Sequence, residues 1–196
     1  IAPPLFRFQR FLWSYADAIA EAIRIMKYRP SKRLTSALAH ISAPVIGAIF
    51  PSSDWAVIIP MPATFASLRQ RGFNQCEELA RIIGAELDVP TDGKALSHRG
   101  SKTPQASLPL DERLRNVRGV FHAKSERVIG KRCLLIDDVA TSGATSAAAA
   151  YTLLTEGAAS VDLITLARST AWNEFRHAVA QRYPADPASR CAPGQP

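Results

Sequence analysis

The sequence predicts an α/β protein built on a parallel sheet, and three observations carry that prediction. Trp55 to Ile59 (WAVII), Arg132 to Ile136 (RCLLI) and Val161 to Leu166 (VDLITL) are short, largely apolar runs rich in β-branched residues, as expected of strands buried on both faces. Segments with helical spacing of apolar residues separate or follow them, at 73–87 and 144–155. Strand, helix, strand, helix at these lengths implies parallel pairing through right-handed crossovers. Ligands in such sheets bind beyond the carboxyl ends of the strands. Residues 60–63 and 137–145 both fall at such ends, so the pattern directs them to one pocket.

Taken in order, residues 5–28 carry Leu5, Phe8, Leu12, Tyr15, Ala16, Ile19, Ile23 and Met26 at helical spacing, which predicts a helix stopped by Pro30. Ser31 is placed to cap a second helix carrying Leu34, Leu38, Ile41 and Val45, ending before Pro51. The first strand follows and stops at Pro60 and Pro62. Leu79, Ile82, Ile83 and Leu87 define the helix over 73–87. From 91 to 130 the pattern weakens, with short strands expected near 94–97 and 118–122 and a short helix near 110–116. A basic segment of that length inside a compact domain is expected to be mobile or functional. Regularity returns with the strand from Arg132, the alanine-rich helix over 144–155 capped by Gly157, the strand over 161–166 and a helix over 170–182. The tail from 184 to 196, rich in Pro, Ala and Ser, is expected to be disordered. The organisation is therefore N-terminal helices over 1–50 packing on a core domain over 51–183, with the irregular segment 91–130 inside it.

At 196 residues the chain suits one domain with a substantial core. Its apolar runs fall far short of the ~20 residues of a membrane span. It begins with Ile1, so this end is read neither for nor against a targeting signal. The three cysteines, Cys76, Cys133 and Cys191, form no Cys-x-x-Cys pair. Buried thiols at Cys76 and Cys133, in a reducing, cytoplasmic setting, are the expectation. Net charge is +7. Residues 94–132 hold ten Lys/Arg against three Asp/Glu, a local excess equal to the whole. Such a stretch suits a polyanion: phosphate, pyrophosphate or nucleic acid. His40, His98, His122 and His177 are scattered without ligand spacing, and the three tryptophans are assigned to packing.

The most informative stretch is Cys133 to Thr145, CLLIDDVATSGAT. Thr141, Ser142, Gly143, Ala144 and Thr145 open a helix, whose first turn has unpaired N–H groups and the positive end of the macrodipole. Glycine allows close approach and the hydroxyls add donors, which makes a cradle for a phosphate monoester. It is not a Walker A loop, because no Lys follows Gly143. Asp137 and Asp138 repel a phosphate and must serve something electropositive or hydroxylated attached to it: a ribose diol, or a magnesium ion that also chelates pyrophosphate.

Four apolar residues, two acids, two small or apolar residues and Thr-Ser-Gly-Ala-Thr resemble the phosphoribosyl pyrophosphate (PRPP) signature of type I phosphoribosyltransferases. Ile59-Pro-Met-Pro62, Leu68-Arg-Gln-Arg-Gly-Phe-Asn-Gln75 with Glu78-Leu-Ala80, and Lys102-Thr-Pro-Gln-Ala106 with Arg113, Asn116-Val117 and Phe121 are similar to the pattern of the competence protein F (ComF) family. Lys27-Tyr28 suits that family's first helices. The resemblance spans roughly 12–168. The family commonly carries an N-terminal cysteine-rich zinc module, absent from this chain and expected upstream if present.

The resemblance implies a type I phosphoribosyltransferase fold, Rossmann-like, and magnesium-dependent transfer of ribose 5-phosphate from PRPP to a base or amine with release of pyrophosphate. Residues Ala140 to Thr145 would bind the 5-phosphate. Asp137 and Asp138 would hold the ribose hydroxyls directly or through Mg²⁺. Met61, Pro62 and Ala63 would form the pyrophosphate loop with Arg71 nearby, and the turn at 60–62 suggests a strained or cis peptide. Residues 99–113 would be a hood in which Arg99, Lys102 and Arg113 neutralise the leaving pyrophosphate, with Lys102 and Arg113 counted with the aspartates as catalytic. Thr141 stands where purine-salvage relatives carry a catalytic carboxylate, so an acidic base is missing there. The alternative is a non-catalytic pocket module that binds nucleic acid through 94–132, as in DNA uptake. The fold leaves a homo-oligomer open.

Overall fold

The computed structural model describes residues 5–99, 119–140 and 143–168. Its centre is a four-stranded sheet in the order β1-β6-β5-β2, with every pairing parallel. The strands are β1 (Gln9–Ser14), β2 (Val57–Pro60), β5 (Arg132–Ala140) and β6 (Ser160–Arg168). Beyond β2, Ile58 bridges Thr91 in parallel, so residues 90–92 run along the sheet edge.

Alternating side chains send successive residues of each strand to opposite faces, and each face has its own core. On one face Ile58, Leu134, Ile136, Ile164 and Leu166 pack against Ile23 and Met26 of α1 (Asp17–Tyr28), Leu38, Ala39 and Ile46 of α2 (Lys32–Ile49), and Leu79 and Ile83 of α4 (Gln75–Leu87). On the other, Val57, Ile59, Cys133, Leu135, Val161 and Leu163 meet Ala149, Ala150 and Leu153 of α6 (Ala144–Thr155). The small antiparallel pair β3 (Leu96–His98) and β4 (Phe121–Ala123), followed by the single turn α5 (Ser125–Val128), closes that second core. A sheet covered on both faces explains why its strands read as nearly unbroken apolar runs.

Several boundaries follow their expected signals. Ser31 caps α2, its hydroxyl accepting the amide of Leu34. Gly157, at φ 95°, supplies the left-handed turn after α6. Cys76 and Cys133 are buried free thiols. The expected strands near 94–97 and 118–122 are β3 and β4.

The helix expected over 5–28 is not continuous. Residues 9–14 are strand β1, which pairs with β6, and α1 starts only at Asp17. The N-terminal segment thus supplies a strand of the central sheet as well as helices. A pattern of Phe11, Leu12 and Trp13 fits either state locally, and partnership with β6 decides it. A short helix, α3 (Phe65–Arg71), precedes α4; none of its residues is buried, so it left no periodic signal. β5 continues four residues past Ile136, placing both aspartates within the strand. No cis peptide occurs among the described residues, so the turn at 60–62 is trans. The helices expected at 110–116 and 170–182, and the tail, lie outside the described residues.

A network at the amino end of the sheet ties its edge together. Asp162 on β6 is fully buried. Its carboxylate accepts from Arg7 (2.6 Å at the closest), from the Trp55 indole N–H at 2.9 Å and from the Phe8 amide at 3.2 Å. No described helix is long and apolar enough to cross a membrane.

Candidate active site

The carboxyl end of β5 reaches beyond β2, whose register pairs Pro60 with Ile136. Asp137 and Asp138 therefore lie past the end of β2 while β5 is still paired with β6. The next helix, α6, starts at Ala144 after Gly143, which holds φ 73°. That left-handed geometry suits glycine and would strain any residue with a Cβ. Asp137, Asp138 and Ala140 share a cavity of about 210 Å³ with Gly143, Thr145 and Ser146. Met61, Lys27 and Val139 also line it. Of the two segments expected to meet, Met61 from the first and Asp137 to Ala140, Gly143 and Thr145 from the second line this cavity.

The carboxylates fold back on their own strand. Asp137 Oδ1 accepts the amide of Asp138 at 2.9 Å, and Asp138 Oδ1 accepts the amide of Val139 at 2.7 Å. The Ser146 hydroxyl donates to Asp137 Oδ2 at 3.4 Å, and the Cys76 thiol lies 3.6 Å from Asp137 Oδ1. Lys27 Nζ stands 3.5 Å from Asp138 Oδ1. Burial, and then the charge of Asp138, push the Asp137 carboxyl up to about 7, against the pull of the Asp138 amide and Lys27. Burial and the same two carboxylates hold the Cys76 thiol well above its ordinary value, so it is a donor and not a thiolate.

Two adjacent carboxylates, one with its proton held this strongly, form a site short of positive charge. Magnesium binds through one or two carboxylates completed by water and substrate phosphate. Asp137 and Asp138 fit that donor set, and among the described residues no cluster of three or more acidic, His or Cys ligands offers an all-protein cage.

The other expected site residues divide. Pro62 and Ala63 continue the loop after Met61 without lining the cavity. Ala144 forms the first turn of α6. The Arg71 guanidinium is engaged away from the cavity lining, donating to the Lys27 backbone carbonyl at 3.1 Å and to the Gln75 side-chain Oε1 at 2.9 Å. Asn74 caps α4 through the Cys76 amide and donates to Met61 O at 3.0 Å. Arg99 lies beyond β3, its guanidinium 3.2 Å from His122 Nδ1 and away from the cavity. Lys102, Arg113, Thr141 and Ser142 lie outside the described residues. Lys27, Cys76 and Ser146 were not singled out from sequence as site residues. Ser146 follows the signature by one position, and an extension of the motif along the first turn would have found it.

Gly143→Val introduces a β-branched side chain at a left-handed position, a cost of roughly 1–2 kcal/mol, and fills the approach to the first turn of α6. Ribose 5-phosphate affinity, measured by calorimetry, is expected to fall about tenfold or more. Unchanged affinity in a folded variant removes this turn from the site.

The phosphoribosyl transferase domain model matches residues 62–186. The chain is 31% identical over 166 residues to competence protein ComFC of Bacillus subtilis (strain 168), covering 84% of this chain and 66% of that protein. It is 27% identical over 162 residues to DNA utilization protein YhgH of Escherichia coli (strain K12), covering 79% and 69%. The chain thus spans about two thirds of the length of these curated relatives. Among solved structures, adenine phosphoribosyltransferase from Leishmania donovani superposes with a TM-score of 0.51 at 16% identity, covering 91% of this chain and 78% of that one. The enzyme of the same name from Leishmania tarentolae gives 0.50 at 14% identity, covering 91% and 85%. At such identities the likeness is one of fold.

Proposed function

The chain belongs to the phosphoribosyl transferase domain family, with the type I fold and with ComFC and YhgH among its relatives, and from that premise we propose that it binds PRPP and transfers ribose 5-phosphate to a base or amine. The observation that carries this reading is the carboxylate pair facing the first turn of α6 across one cavity. A phosphate monoester suits the N–H groups and hydroxyls of residues 141–145. The ribose diol suits Asp137 and Asp138, each able to accept from a hydroxyl. The same two residues would hold the magnesium ion, which when bound offsets the charge of the diphosphate.

In the proposed reaction the bond between ribose C1 and the pyrophosphate oxygen breaks, and the acceptor nitrogen bonds C1 and gives up a proton. The 61–63 loop and the hood cations Lys102 and Arg113 would neutralise the departing pyrophosphate, and a closed hood would keep water from the oxocarbenium-like centre. The reading places the protein in the cytoplasm, in nucleotide metabolism or DNA uptake. Calorimetry with PRPP, with and without Mg²⁺, followed by a pyrophosphate-release screen over bases and amines, tests it. Magnesium-dependent binding and release with at least one acceptor are expected. Binding without release from any acceptor would reduce the protein to a PRPP-binding module.

A second reading, nucleic-acid binding, is favoured by one further observation. Tyr28 is 71% exposed and precedes the exposed Arg29, Lys32 and Arg33 in sequence, and Phe65 is 76% exposed next to the exposed Arg69. Lys32 lies over the Phe73 ring at 5.6 Å, and Arg69 over Phe65 at 6.0 Å. Exposed aromatics among cations suit a single strand, and two relatives are named for competence and DNA utilization. Much of the basic stretch 94–132 lies outside the described residues. Binding through many phosphates weakens steeply with salt, which separates this reading from binding in an oriented pocket.

A further inference from the structure

Lys27 is the cationic side chain among the described residues that line the cavity, and the way it is held is unusual for a surface lysine. It sits in the last turn of α1, where backbone carbonyls lack partners within the helix. Two of those carbonyls are bound from one short segment. Gln75 Nε2 donates to Met26 O at 2.7 Å, and Arg71 Nε donates to Lys27 O at 3.1 Å. Arg71 also donates to Gln75 Oε1, and Asn74 of the same segment donates to Met61 O. Gln75 is only 2% exposed. Residues 71–75 are therefore a strap that fixes the end of α1 and the start of the 61–63 loop in one register.

Such a strap does more than the Lys27–Asp138 pair requires. At 3.5 Å, with the lysine side chain 27% exposed, the pair is longer than the ~2.7–2.9 Å of a strong charge-assisted hydrogen bond. Partly exposed pairs of this kind add about 1 kcal/mol or less. The ammonium is near Asp138 without being locked to it, and Lys27 lines the same cavity as Met61. A diphosphate seated against the 61–63 loop would bring negative charge into a cavity already carrying two carboxylates. Lys27 is within reach to offset it.

We propose that Lys27 binds the diphosphate of the ligand, leaving Asp138 to the ribose or the cation, and so favours PRPP over ribose 5-phosphate. This rests on the PRPP reading above. The test is calorimetry with PRPP, inorganic pyrophosphate and ribose 5-phosphate, each with Mg²⁺, on the full chain and on Lys27→Met, Lys27→Gln and Lys27→Arg, with melting curves to establish folding. The methionine and glutamine variants should lose about tenfold or more in affinity for PRPP and pyrophosphate while ribose 5-phosphate stays within about threefold. Arginine should restore most of the loss, because it keeps the charge. An equal loss for all three ligands, or no loss in a folded variant, overturns the assignment and leaves Lys27 as a partner of Asp138 only. If the unmutated protein binds none of the three, the PRPP reading fails, and this inference with it. If it binds ribose 5-phosphate but neither diphosphate, the PRPP reading fails as well and only the phosphate cradle stands; if it binds PRPP and the Lys27 variants bind it equally well, only the role of Lys27 fails.

Discussion

Asparagine at position 137 will make the ligand-free protein melt higher at pH 8. The folded state raises the Asp137 carboxyl to about 7 from an ordinary value of 3.8. A group raised on folding favours the folded state most below its unfolded value, and that contribution is lost as pH rises through the folded one. Asp137 therefore costs stability progressively between about pH 4 and pH 7, and an uncharged amide escapes that cost. Asn keeps the Oδ1 acceptor for the Asp138 amide. A gain of roughly 5 °C at pH 8, shrinking toward pH 4, is a reasonable size for 1–2 kcal/mol in a chain of this length. Scanning calorimetry at several pH values checks it. Asp137→Asn with Asp138→Asn should also lower PRPP–Mg²⁺ affinity by about a hundredfold, since the site then lacks both carboxylates. A variant that melts lower at pH 8 would make the pair a structural feature.

The opposite behaviour is expected at Asp162. Removing its carboxylate in Asp162→Ala leaves the Trp55 indole N–H and the Phe8 amide without their acceptor and Arg7 without its closest partner. Breaking a buried charged network costs about 3–5 kcal/mol. Arg7 reaches solvent, its side chain being 37% exposed, so the lower end applies. Against a total of roughly 5–15 kcal/mol, urea denaturation should show a large drop in midpoint with an unchanged slope. Asp54→Ala is the contrast, because that carboxylate is 31% exposed and meets Arg7 at 3.4 Å. It should cost under about 1 kcal/mol. Equal losses in the two variants would contradict the role given to burial.

The readable parts of the chain were those whose physics is local. Cys133 to Ile136 declared a strand covered on both faces, and Gly143 declared the start of the helix that follows it. That Met61 and Asp137 face one cavity followed from a rule about parallel sheets. What escaped depended on distant partners. Residues 9–14 are a strand only because β6, over a hundred residues later, accepts them. Lys27 enters the cavity because residues 71–75 anchor the end of α1, which no spacing within 17–28 discloses. α3 buries nothing and so had no apolar stripe to reveal it.

The pairing of β1 with β6 also has a kinetic meaning. As the chain leaves the ribosome, Gln9 to Ser14 emerge early and Ser160 to Arg168 emerge late. Until β6 has been made, β1 lacks its strand partner, and the Arg7 side chain lacks Asp162. Contacts this distant in sequence impose a loop-closure cost and slow folding. Throughout translation the first strand is an unpaired edge carrying Phe11, Leu12 and Trp13, the kind of segment that recruits the wrong partner. β6 is thus the strand that commits β1, made long before it, and truncation before residue 160 should leave an aggregation-prone chain.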